Sequence, residues 1–520
     1  MTVDCDVLIV GLGPVGGLLA NHLGQAGVAT IVVDEAAGTY DLPRAAVVDD
    51  EVLRIFQAVD LDRAVLRDAQ VQRAITYVTQ HGTAVDILRP ERGELAQPRL
   101  VSIHQPSIER RLVEGLGRFA SVDVRWRTRI ETVDRAADHV DAWVRPATGG
   151  PLARLRARWL VGCDGGRSPV RGRIGAGFRG STFAQRWIVL DALVDGPVPG
   201  APHPHFVGDP DRPTVSLPMS PGRHRWEFML RPDEDPAPLL APAGLARLLA
   251  PWTSAGLGLE VERAIVYAFH ARTASRWRRG RVLLAGDAAH VMPPFIGQGF
   301  SSGARDVANL AWRLEAVLAG APSRLLDDYE RERRGHVRAM QRLAVRWGGV
   351  LQTTDPRTAA LRDRLLPLLD RVGVVAIARR HAMPRPNVAA GTFARRPRRL
   401  PFRRVTGSLF PQPLVTRDGV PTRLDDAVGR GWTLLTTGGD DEPADGPWRT
   451  VRVGRDLDDR DGAIARWLRA RGATWVLLRP DRWVYASGAT GDLADARAAL
   501  ARHLGPAARV PAGRRPEVVA

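Results

Sequence analysis

The chain has 520 residues, 44% of them hydrophobic, so it can bury a large core divided among two to four domains. The basic residues behind its formal net charge of +17 are all arginines interleaved with acidic residues, which argues against nucleic-acid binding. Only Cys5 and Cys163 are present, which excludes a disulfide framework and a cysteine-based metal site, and no apolar run reaches the roughly 18 residues of a membrane span.

The first predicted unit, residues 6–34, has the order strand, helix, strand. Gly11 suits the tight turn after the first strand, Gly13 lets the backbone approach a pyrophosphate, and Gly16 allows the helix to pack closely on the strand. Asp34 ends the second strand, where a carboxylate accepts the hydroxyls of an adenosine ribose. The pattern predicts a site for FAD or NAD. Its candidate cofactor-binding residues are Gly11, Gly13, Pro14, Val15, Gly16, Asp34 and Glu35.

Residues 39–187 offer two further candidate positions. Arg44 follows the first unit on a loop, where it lies either across the phosphates of a cofactor or exposed at the surface. Residues 105–119 predict a helix, with Ser107 near the start of this stretch as the N-cap signal. A second apolar strand ends at Asp164 and Gly165, which indicates either a ligand site at the end of a parallel strand or an ordinary Asp-Gly turn.

Residues 188–271 interrupt the α/β pattern with short alternating segments separated by proline-rich connections. They predict an antiparallel sheet with strands at 188–193, 214–217, 225–230 and 264–270. Such a sheet suits the lid or floor of an apolar ligand site. Trp226, Phe228 and Phe269 are predicted to keep water away from that site.

The α/β pattern resumes with a strand at 281–285, closed by Gly286 and Asp287. A loop with Pro293, Gly297, Gln298 and Gly299 then leads to a helix at 303–318, and its N-terminus can bind an anion or a polarised ring oxygen. Further helices are predicted at 325–351 and 358–379. A linker rich in arginine and proline precedes a small α/β tail; its arginines are Arg395, Arg396, Arg398, Arg399, Arg403 and Arg404.

Three separated motifs together resemble one family: GLGPVG with Asp34, CDGGRSPVR at 163–171, and RVLLAGDAAHVMPPFIGQGFSSGARDVANLAWRL at 281–314. They closely resemble the single-component FAD-dependent aromatic hydroxylases, and in particular the 3-(3-hydroxyphenyl)propionate hydroxylase group, over nearly the whole chain. The resemblance implies an α/β fold: a Rossmann-like FAD-binding domain with an inserted antiparallel substrate sheet and a C-terminal thioredoxin-like domain. The implied domains are 1–187 and 272–395 for FAD, 188–271 for substrate and 400–520 for the tail, which lacks a CxxC.

The resemblance also assigns residues. It places Arg44 and Gln105 along the cofactor, Asp164 in a motif serving both FAD and the nicotinamide nucleotide, and Asp287 at the ribityl and phosphate region. The loop 293–300 is expected against the isoalloxazine, with Ser301 in place of the family's usual asparagine. The implied cofactor-binding residues are Arg44, Gln105, Asp164, Gly165, Gly286, Asp287, Pro293, Gly297, Gln298, Gly299, Phe300 and Ser301. The candidate catalytic residues are Arg225, as a partner for a substrate anion, and Pro293; the candidate substrate residues are Trp226, Phe228, Phe269 and Phe295.

The function that the resemblance implies is hydroxylation of a phenolic or polyketide ring with FAD, NADH or NADPH, and molecular oxygen, through a flavin C4a-hydroperoxide. Two flavin alternatives remain: oxygen insertion beside a ketone of a polyketide, and a flavin reductase without oxygen transfer. We expect an aromatic small-molecule substrate, no nucleic-acid or membrane partner, no metal, and a possible homodimer. Because no signal-peptide pattern precedes the first strand, we expect a cytoplasmic protein.

Overall fold

The computed structural model describes residues 2–90, 93–253, 256–379, 407–438 and 446–505. The arginines of the predicted linker lie outside these ranges, as does the end of the predicted 272–395 segment. No helix within the described ranges combines the length and the apolar character needed to span a membrane.

The strands are numbered in chain order. Those of the first 170 residues are β1 (Cys5–Val10), β2 (Thr30–Val33), β3 (Val47–Asp49), β4 (Ala69–Val71), β5 (Ile75–Val78), β6 (Ala84–Leu88), β7 (Leu100–Ile103), β8 (Val122–Arg125), β9 (Thr128–Arg135), β10 (Val140–Pro146) and β11 (Ala153–Gly162). Those of the middle are β12 (Phe178–Val194), β13 (His205–Val207), β14 (Thr214–Pro218), β15 (Arg223–Met229), β16 (Leu259–Ala274), β17 (Arg278–Arg279), β18 (Val282–Leu284) and β19 (His290–Val291). Those of the tail are β20 (Leu414–Arg417), β21 (Val420–Arg423), β22 (Thr433–Thr436), β23 (Arg449–Arg452), β24 (Trp475–Leu478) and β25 (Val484–Gly488).

The α-helices up to residue 250 are α1 (Pro14–Gln25), α2 (Asp50–Gln57), α3 (Asp62–Arg67), α4 (Gln105–Leu116), α5 (Pro169–Arg173), α6 (Ala237–Leu240) and α7 (Pro242–Leu249). Those that follow are α8 (Gly299–Leu318), α9 (Asp327–Leu351), α10 (Pro356–Arg371), α11 (Val374–Arg379), α12 (Leu424–Val428), α13 (Ala463–Arg469) and α14 (Leu493–Leu504). Short 3-10 turns occupy Ala250–Trp252, Gly286–Ala288, Pro294–Ile296, Ser323–Leu326 and Thr490–Asp492.

The first sheet carries the predicted βαβ unit. Its strand order is β17-β18-β11-β1-β2-β8, with β10 and β9 attached to β11. Strands β18, β11, β1, β2 and β8 run parallel to one another, and the middle of β1 is fully buried because both of its faces are covered. Since the carboxyl ends of parallel strands meet at one edge, the loops after β1, β11 and β18 are brought together there.

Two helix starts differ from the predictions. Helix α4 begins at Gln105 rather than after Ser107, because Pro106 suits its first turn and the Ser107 hydroxyl instead contacts Nδ1 of His104 at 2.9 Å. Helix α8 begins at Gly299, four residues before the predicted start, so its N-terminus lies directly at the glycine-rich loop.

The second sheet contains the four predicted antiparallel strands, in the order β19-β16-β12-β15-β14-β13-β5-β6. The predicted boundaries at 187/188 and 271/272 each fall inside a strand, because β12 and β16 pair from Phe178 opposite Ala274 to Val194 opposite Leu259. Their outer ends are largely exposed and polar, so apolar alternation marked only the covered part of each strand. Strands β5 and β6 join the sheet through a parallel β13–β5 pair.

The described tail has a four-stranded sheet in the order β23-β22-β24-β25. Strands β22 and β23 are parallel, and the other two pairs are antiparallel. One side of this sheet shares its core with α8, where Trp312 meets Trp432 edge to face at 5.7 Å between ring centroids. The tail is therefore packed firmly on the first part of the chain.

Candidate active site

The first glycine-rich loop and the loop after β11 touch directly. Gly11 has a φ of +98°, and a Cβ atom there would lie 2.6 Å from the carbonyl oxygen of Cys163. A Cβ atom at Gly16 would lie 1.9 Å from the carbonyl oxygen of Gly11. Gly13 differs, because no heavy atom lies within 4 Å of the position that its Cβ atom would take. Open space therefore lies at the N-terminus of α1, as a bound pyrophosphate requires.

The carboxylate of Asp34 closes the same loop from the other side. Its Oδ2 accepts a hydrogen bond from the Leu12 amide at 2.6 Å and its Oδ1 accepts one from the Ala36 amide at 2.8 Å. The side chain stays partly exposed, and an ionised carboxylate can accept further bonds. Asp34 can therefore bind ribose hydroxyls while its position is fixed; the neighbouring Glu35 is exposed.

The third motif packs on the first through Val15. A Cβ atom at Gly286, where φ is +60°, would lie 2.8 Å from Cγ2 of Val15, and one at Gly303 would lie 2.6 Å from the same atom. Val15 follows Pro14, the first residue of α1. Three segments that are far apart in the chain thus meet around the start of one helix.

Asp287 and Arg44 line the cleft at this edge. The Asp287 side chain is exposed, yet enclosure by the surrounding protein raises its pKa above the ordinary aspartate value, with Arg44 and His290 opposing the rise. Arg44 is exposed, and its guanidinium lies 4.6 Å from the centre of the Tyr40 ring. Both predicted positions therefore face the open side of the protein.

The loop before α8 supplies the far wall. Gly297 has a φ of +62°, and a Cβ atom there would lie 2.2 Å from Cγ2 of Val47, whereas Gly299 has open space around it. Phe300 packs 6.2 Å from Phe56 between ring centroids. The first amide groups of a 20-residue helix point out of this loop, where they can donate to a ring oxygen or an anion.

Three residues predicted to contact the cofactor form side-chain hydrogen bonds within the protein, and a fourth, Ser301, is buried without one. Gln105 accepts from the Ala45 amide at 2.6 Å and donates to Glu109, and Gln298 donates to Asp49 and accepts from Arg305. The Asp164 carboxylate accepts from the Ser168 hydroxyl at 2.5 Å and from the Val170 amide at 2.9 Å, so it closes its own turn beside Gly165. Ser301 is fully buried, and its hydroxyl has no hydrogen-bond partner in the described part of the chain. The side chains of Gln105, Gln298 and Asp164 therefore hold the shape of their loops.

Arg225, predicted to be the partner of a substrate anion, uses its guanidinium within the protein. It lies in what we call the sheet cluster, Asp191 with Arg225 and Arg263, all of which are at most 5% exposed. Arg225 and Arg263 bind opposite oxygens of Asp191, each at 2.7 Å. Arg225 also donates to the carbonyl oxygens of Arg44 at 2.8 Å and Pro43 at 3.0 Å. The cluster therefore fastens the Arg44 loop to the second sheet.

Two predicted substrate residues lie on the wrong face of that sheet. Trp226 stands opposite Leu190 and Phe228 opposite Ile188, and these side chains form a core with the helices α6 and α7. Trp226 is 0% and Phe228 2% exposed, because that core covers their face of the sheet. Pro293, predicted as catalytic, is buried and offers only a backbone carbonyl as a polar group.

Phe269 and Phe295, the other two predicted substrate residues, meet on the opposite face, which we call the front face. Their rings lie 5.5 Å apart edge to face, and Trp187 lies 6.5 Å from Phe295 and 6.2 Å from Phe269. Phe183 contacts Phe295 at 5.8 Å. Trp187 was missed because it falls at the predicted domain boundary, and Asp191 because it is a lone charge in an apolar stretch of its strand. Arg263 was missed because it follows Glu260 and Glu262 and precedes the predicted strand at 264–270.

The front face holds buried donors that lack a partner. Nε1 of Trp187 and Nη1 of Arg263 make no hydrogen bond to any of the residues that the structure describes. Buried polar groups are normally paired, so unpaired donors around an aromatic surface are typical of a site that binds an aromatic ligand with polar substituents.

The sequence matches known proteins along most of its length. The model of the FAD binding domain family matches residues 4–344, and that of the HcaD C-terminal domain matches residues 442–503. The chain is 38% identical over 483 residues to a 3-(3-hydroxy-phenyl)propionate/3-hydroxycinnamic acid hydroxylase of Mycolicibacterium smegmatis, covering 91% of this chain and 82% of that protein. A protein of the same name from Escherichia coli O8 is 35% identical, over 93% of this chain and 91% of its own.

Solved structures with the same fold cover nearly the whole chain. OxyS anhydrotetracycline hydroxylase from Streptomyces rimosus has a TM-score of 0.74 and 27% identity, covering 96% of this chain and 99% of that one. The ternary complex of aklavinone-11 hydroxylase with FAD and aklavinone has a TM-score of 0.80 and 24% identity, covering 97% and 99%.

Proposed function

This chain belongs to the flavin-dependent aromatic hydroxylases that carry the FAD binding domain, and from that premise we propose that it hydroxylates a phenolic ring with NADH or NADPH as electron donor. The observation that carries the proposal is the meeting of three distant glycine-bearing motifs at one sheet edge, beside open space at Gly13. Each glycine at a contact is required by packing, whereas Gly13 is required only if a ligand occupies that space.

The residues present fit FAD. The N-terminus of α1 with Gly13 would hold the pyrophosphate, Asp34 the adenosine ribose, and the N-terminus of α8 an oxygen of the flavin ring. When bound, FAD supplies the redox chemistry, taking electrons from the nicotinamide and activating oxygen for transfer to the ring. The protein provides orientation and keeps water out.

The front face is suited to hold the substrate. Phe269 is partly exposed on this face, and Trp187 and Phe295 pack around it. This apolar surface suits the stacking of an aromatic ring and the exclusion of water from the reaction. We favour a phenol with a short acidic side chain over a polycyclic polyketide, because relatives named for phenylpropionate hydroxylation reach 35–38% identity, and OxyS only 27%.

The nicotinamide nucleotide is proposed to dock transiently near Arg44. The sequence contains no second GxGxxG in a βαβ unit that would hold it permanently. Substrate binding would then trigger movement of the flavin toward it. Stopped-flow flavin reduction that is equally fast with and without an aromatic substrate would rule out this gating.

For the tail we propose a thioredoxin-like fold that supports packing and takes no part in the chemistry. The strand order β23-β22-β24-β25, with one parallel and two antiparallel pairs, supports this assignment. We also propose a homodimer, which light scattering would test. Exposed apolar side chains on α10, on α11 and between them support it, among them Leu361, Leu365, Leu368, Val372 and Ile377.

Replacing Gly13 with valine tests the FAD site. The new side chain has room, so the protein should fold, but it would occupy the pyrophosphate space and the purified protein should lose its yellow colour. Gly335 on α9 also has nothing near its Cβ position, and G335V is the matched control that should stay yellow. Full flavin absorbance in G13V would refute this placement of the site.

The reaction is tested by oxygen uptake and NAD(P)H oxidation with a panel of phenols, followed by mass spectrometry. Substrate-dependent uptake with a product heavier by one oxygen atom on the ring is expected. A lactone or ester product would indicate oxygen insertion instead, and NAD(P)H oxidation without any oxygenated product would indicate a reductase.

A further inference from the structure

Side chains that stand opposite one another on neighbouring strands form rows across the front face. The central row contains one acidic side chain, Glu227, that has no role in the site described above. Strand register places Glu227 of β15 opposite Val189 of β12, and Val215 of β14 on its other side. Ile265 follows beyond Val189 in the same row. Glu227 is thus a lone carboxylate set among branched apolar side chains.

The rows on either side fix where Glu227 lies. The sheet cluster lies two residues from Glu227 in one direction along the strands, and it is fastened to the loop carrying Arg44. The row that contains Trp187 lies two residues from Glu227 in the other direction, and Trp187 contacts Phe295 of the loop before α8. Two residues of a strand rise roughly 6.7 Å, so Glu227 lies between the two loops that border the proposed ring site.

Its surroundings leave Glu227 without a partner. No hydrogen bond or ion pair to its side chain occurs among the described residues, and the side chain is only partly buried. Burial raises the pKa of Glu227 above the ordinary glutamate value, opposed by Arg225. A purely structural counter-ion would be expected to bind a guanidinium, yet Arg225 and Arg263 both bind Asp191 instead.

We propose that Glu227 is the catalytic residue that accepts the hydrogen bond, and then the proton, of the substrate's ring hydroxyl. The inference rests on the proposed function. The phenolic O–H bond breaks and an O–H bond forms on the Glu227 carboxylate, so that the negative charge passes to the ring oxygen and raises the electron density of the ring carbons. After oxygen transfer the hydroxylated ring carbon releases its hydrogen as a proton to solvent, which restores the aromatic ring, and Glu227 returns its own proton to the ring oxygen. The unpaired donors on Trp187 and Arg263 lie on the same face as this charge.

The test compares E227Q with E262Q, using 3-(3-hydroxyphenyl)propionate as the probe. Glutamine keeps the shape and can still accept a hydrogen bond, but it cannot take a proton. E227Q should therefore bind the probe with a KM within a few-fold of wild type while kcat falls by about 10²–10⁴-fold, the usual contribution of a general base. Glu262 is an exposed carboxylate of β16 paired with Arg223, so E262Q should leave both constants unchanged.

A second measurement needs no variant and no turnover. Binding of the probe and of 3-phenylpropionate, which lacks the hydroxyl, is followed by the change in flavin absorbance of the wild-type protein. A carboxylate that accepts the hydroxyl should make the unsubstituted acid bind at least about tenfold more weakly, because the bound acid would cover the carboxylate and leave it unpaired. Equal affinity for the two compounds would overturn the proposal.

The remaining outcomes distinguish a failure of the role of Glu227 from a failure of the proposed function. If wild type hydroxylates the probe and E227Q retains its kcat within twofold, the role of Glu227 is overturned while the proposed function stands. If wild type oxygenates no phenol of the panel, the proposed function fails, and the role of Glu227 fails with it.

Discussion

Two regions of this protein contain the same arrangement, a buried carboxylate that forms ion pairs with two arginines. One is the sheet cluster. The other we call the seam cluster: Glu332 on α9, Arg313 on α8 and Arg479 after β24 in the tail. Glu332 lies 2.8 Å from Arg313 and 3.0 Å from Arg479, and all three side chains are at most 1% exposed.

The two clusters differ in what else they touch. The seam cluster is closed between two helices and the tail, where Arg479 also binds Asp481 at 2.5 Å. The sheet cluster directs its remaining donors to the backbone of the Arg44 loop and adjoins a row that holds an unpaired carboxylate. A buried ion pair therefore does not indicate a functional site by itself; the groups around it do.

The largest effect is expected at the seam. Glu332→Gln would leave two buried guanidinium groups without their shared anion, which should lower the free energy of unfolding by about 3–5 kcal/mol in a urea titration. E315Q is the matched control, because Glu315 of α8 pairs with Arg430 of the tail at 3.4 Å but is 24% exposed. That variant should lose less than about 1 kcal/mol. Equal losses in the two variants would contradict the seam's structural role.

The seam should also respond to acid. Although burial opposes ionisation, Arg313 and Arg479 hold the pKa of Glu332 below its ordinary value. Its stabilising contribution is therefore complete above the ordinary glutamate pKa of about 4.3 and is lost as pH falls through the lowered folded-state pKa. The stability difference between wild type and E332Q should persist at pH 5 and shrink only at lower pH. A difference already absent at pH 5 would argue against an ionised Glu332.

A smaller effect is expected from Arg225→Lys. Lysine keeps the charge but cannot bind Asp191 and two loop carbonyls together, so the Arg44 loop should loosen and FAD should dissociate about tenfold more readily, or about 1.4 kcal/mol. Fluorescence titration of FAD measures this, with R223K as control, because Arg223 is a partly exposed residue of the same strand that pairs with Glu262. A substrate-anion partner would instead raise only KM and leave FAD affinity unchanged.

The smallest expected effect is a gain in stability, in the variant E227Q. Because burial raises the pKa of Glu227, its charged form lowers stability at neutral pH, and this cost disappears only as pH falls toward the ordinary glutamate pKa. E227Q should therefore raise the ligand-free unfolding free energy at pH 7 by up to about 1 kcal/mol, whereas the same substitution at Glu332 lowers it. A destabilised E227Q would mean that Glu227 has a structural partner.

Local chemistry was the part that the sequence could determine. Gly11, Gly13, Gly16 and Asp34 belong to one short unit, in which a strand, a turn and a helix follow each other closely enough that residue type and spacing specify the geometry. The matching family model and relatives confirm the family assignment. It was predictable because each of its three motifs is a contiguous stretch of sequence. The four antiparallel strands were also predictable from their alternation.

The tertiary structure alone decided which face of the second sheet is covered by helices and which borders the proposed ligand site. Alternation with a period of two shows that Trp226 and Phe228 share one face and Glu227 the other, but it does not say what covers each face. Helices α6 and α7 cover the first, and the loops carrying Arg44 and Phe295 border the second. Arg225 and Pro43 are 182 positions apart, so no local pattern could reveal that Arg225 binds Asp191 and a distant loop.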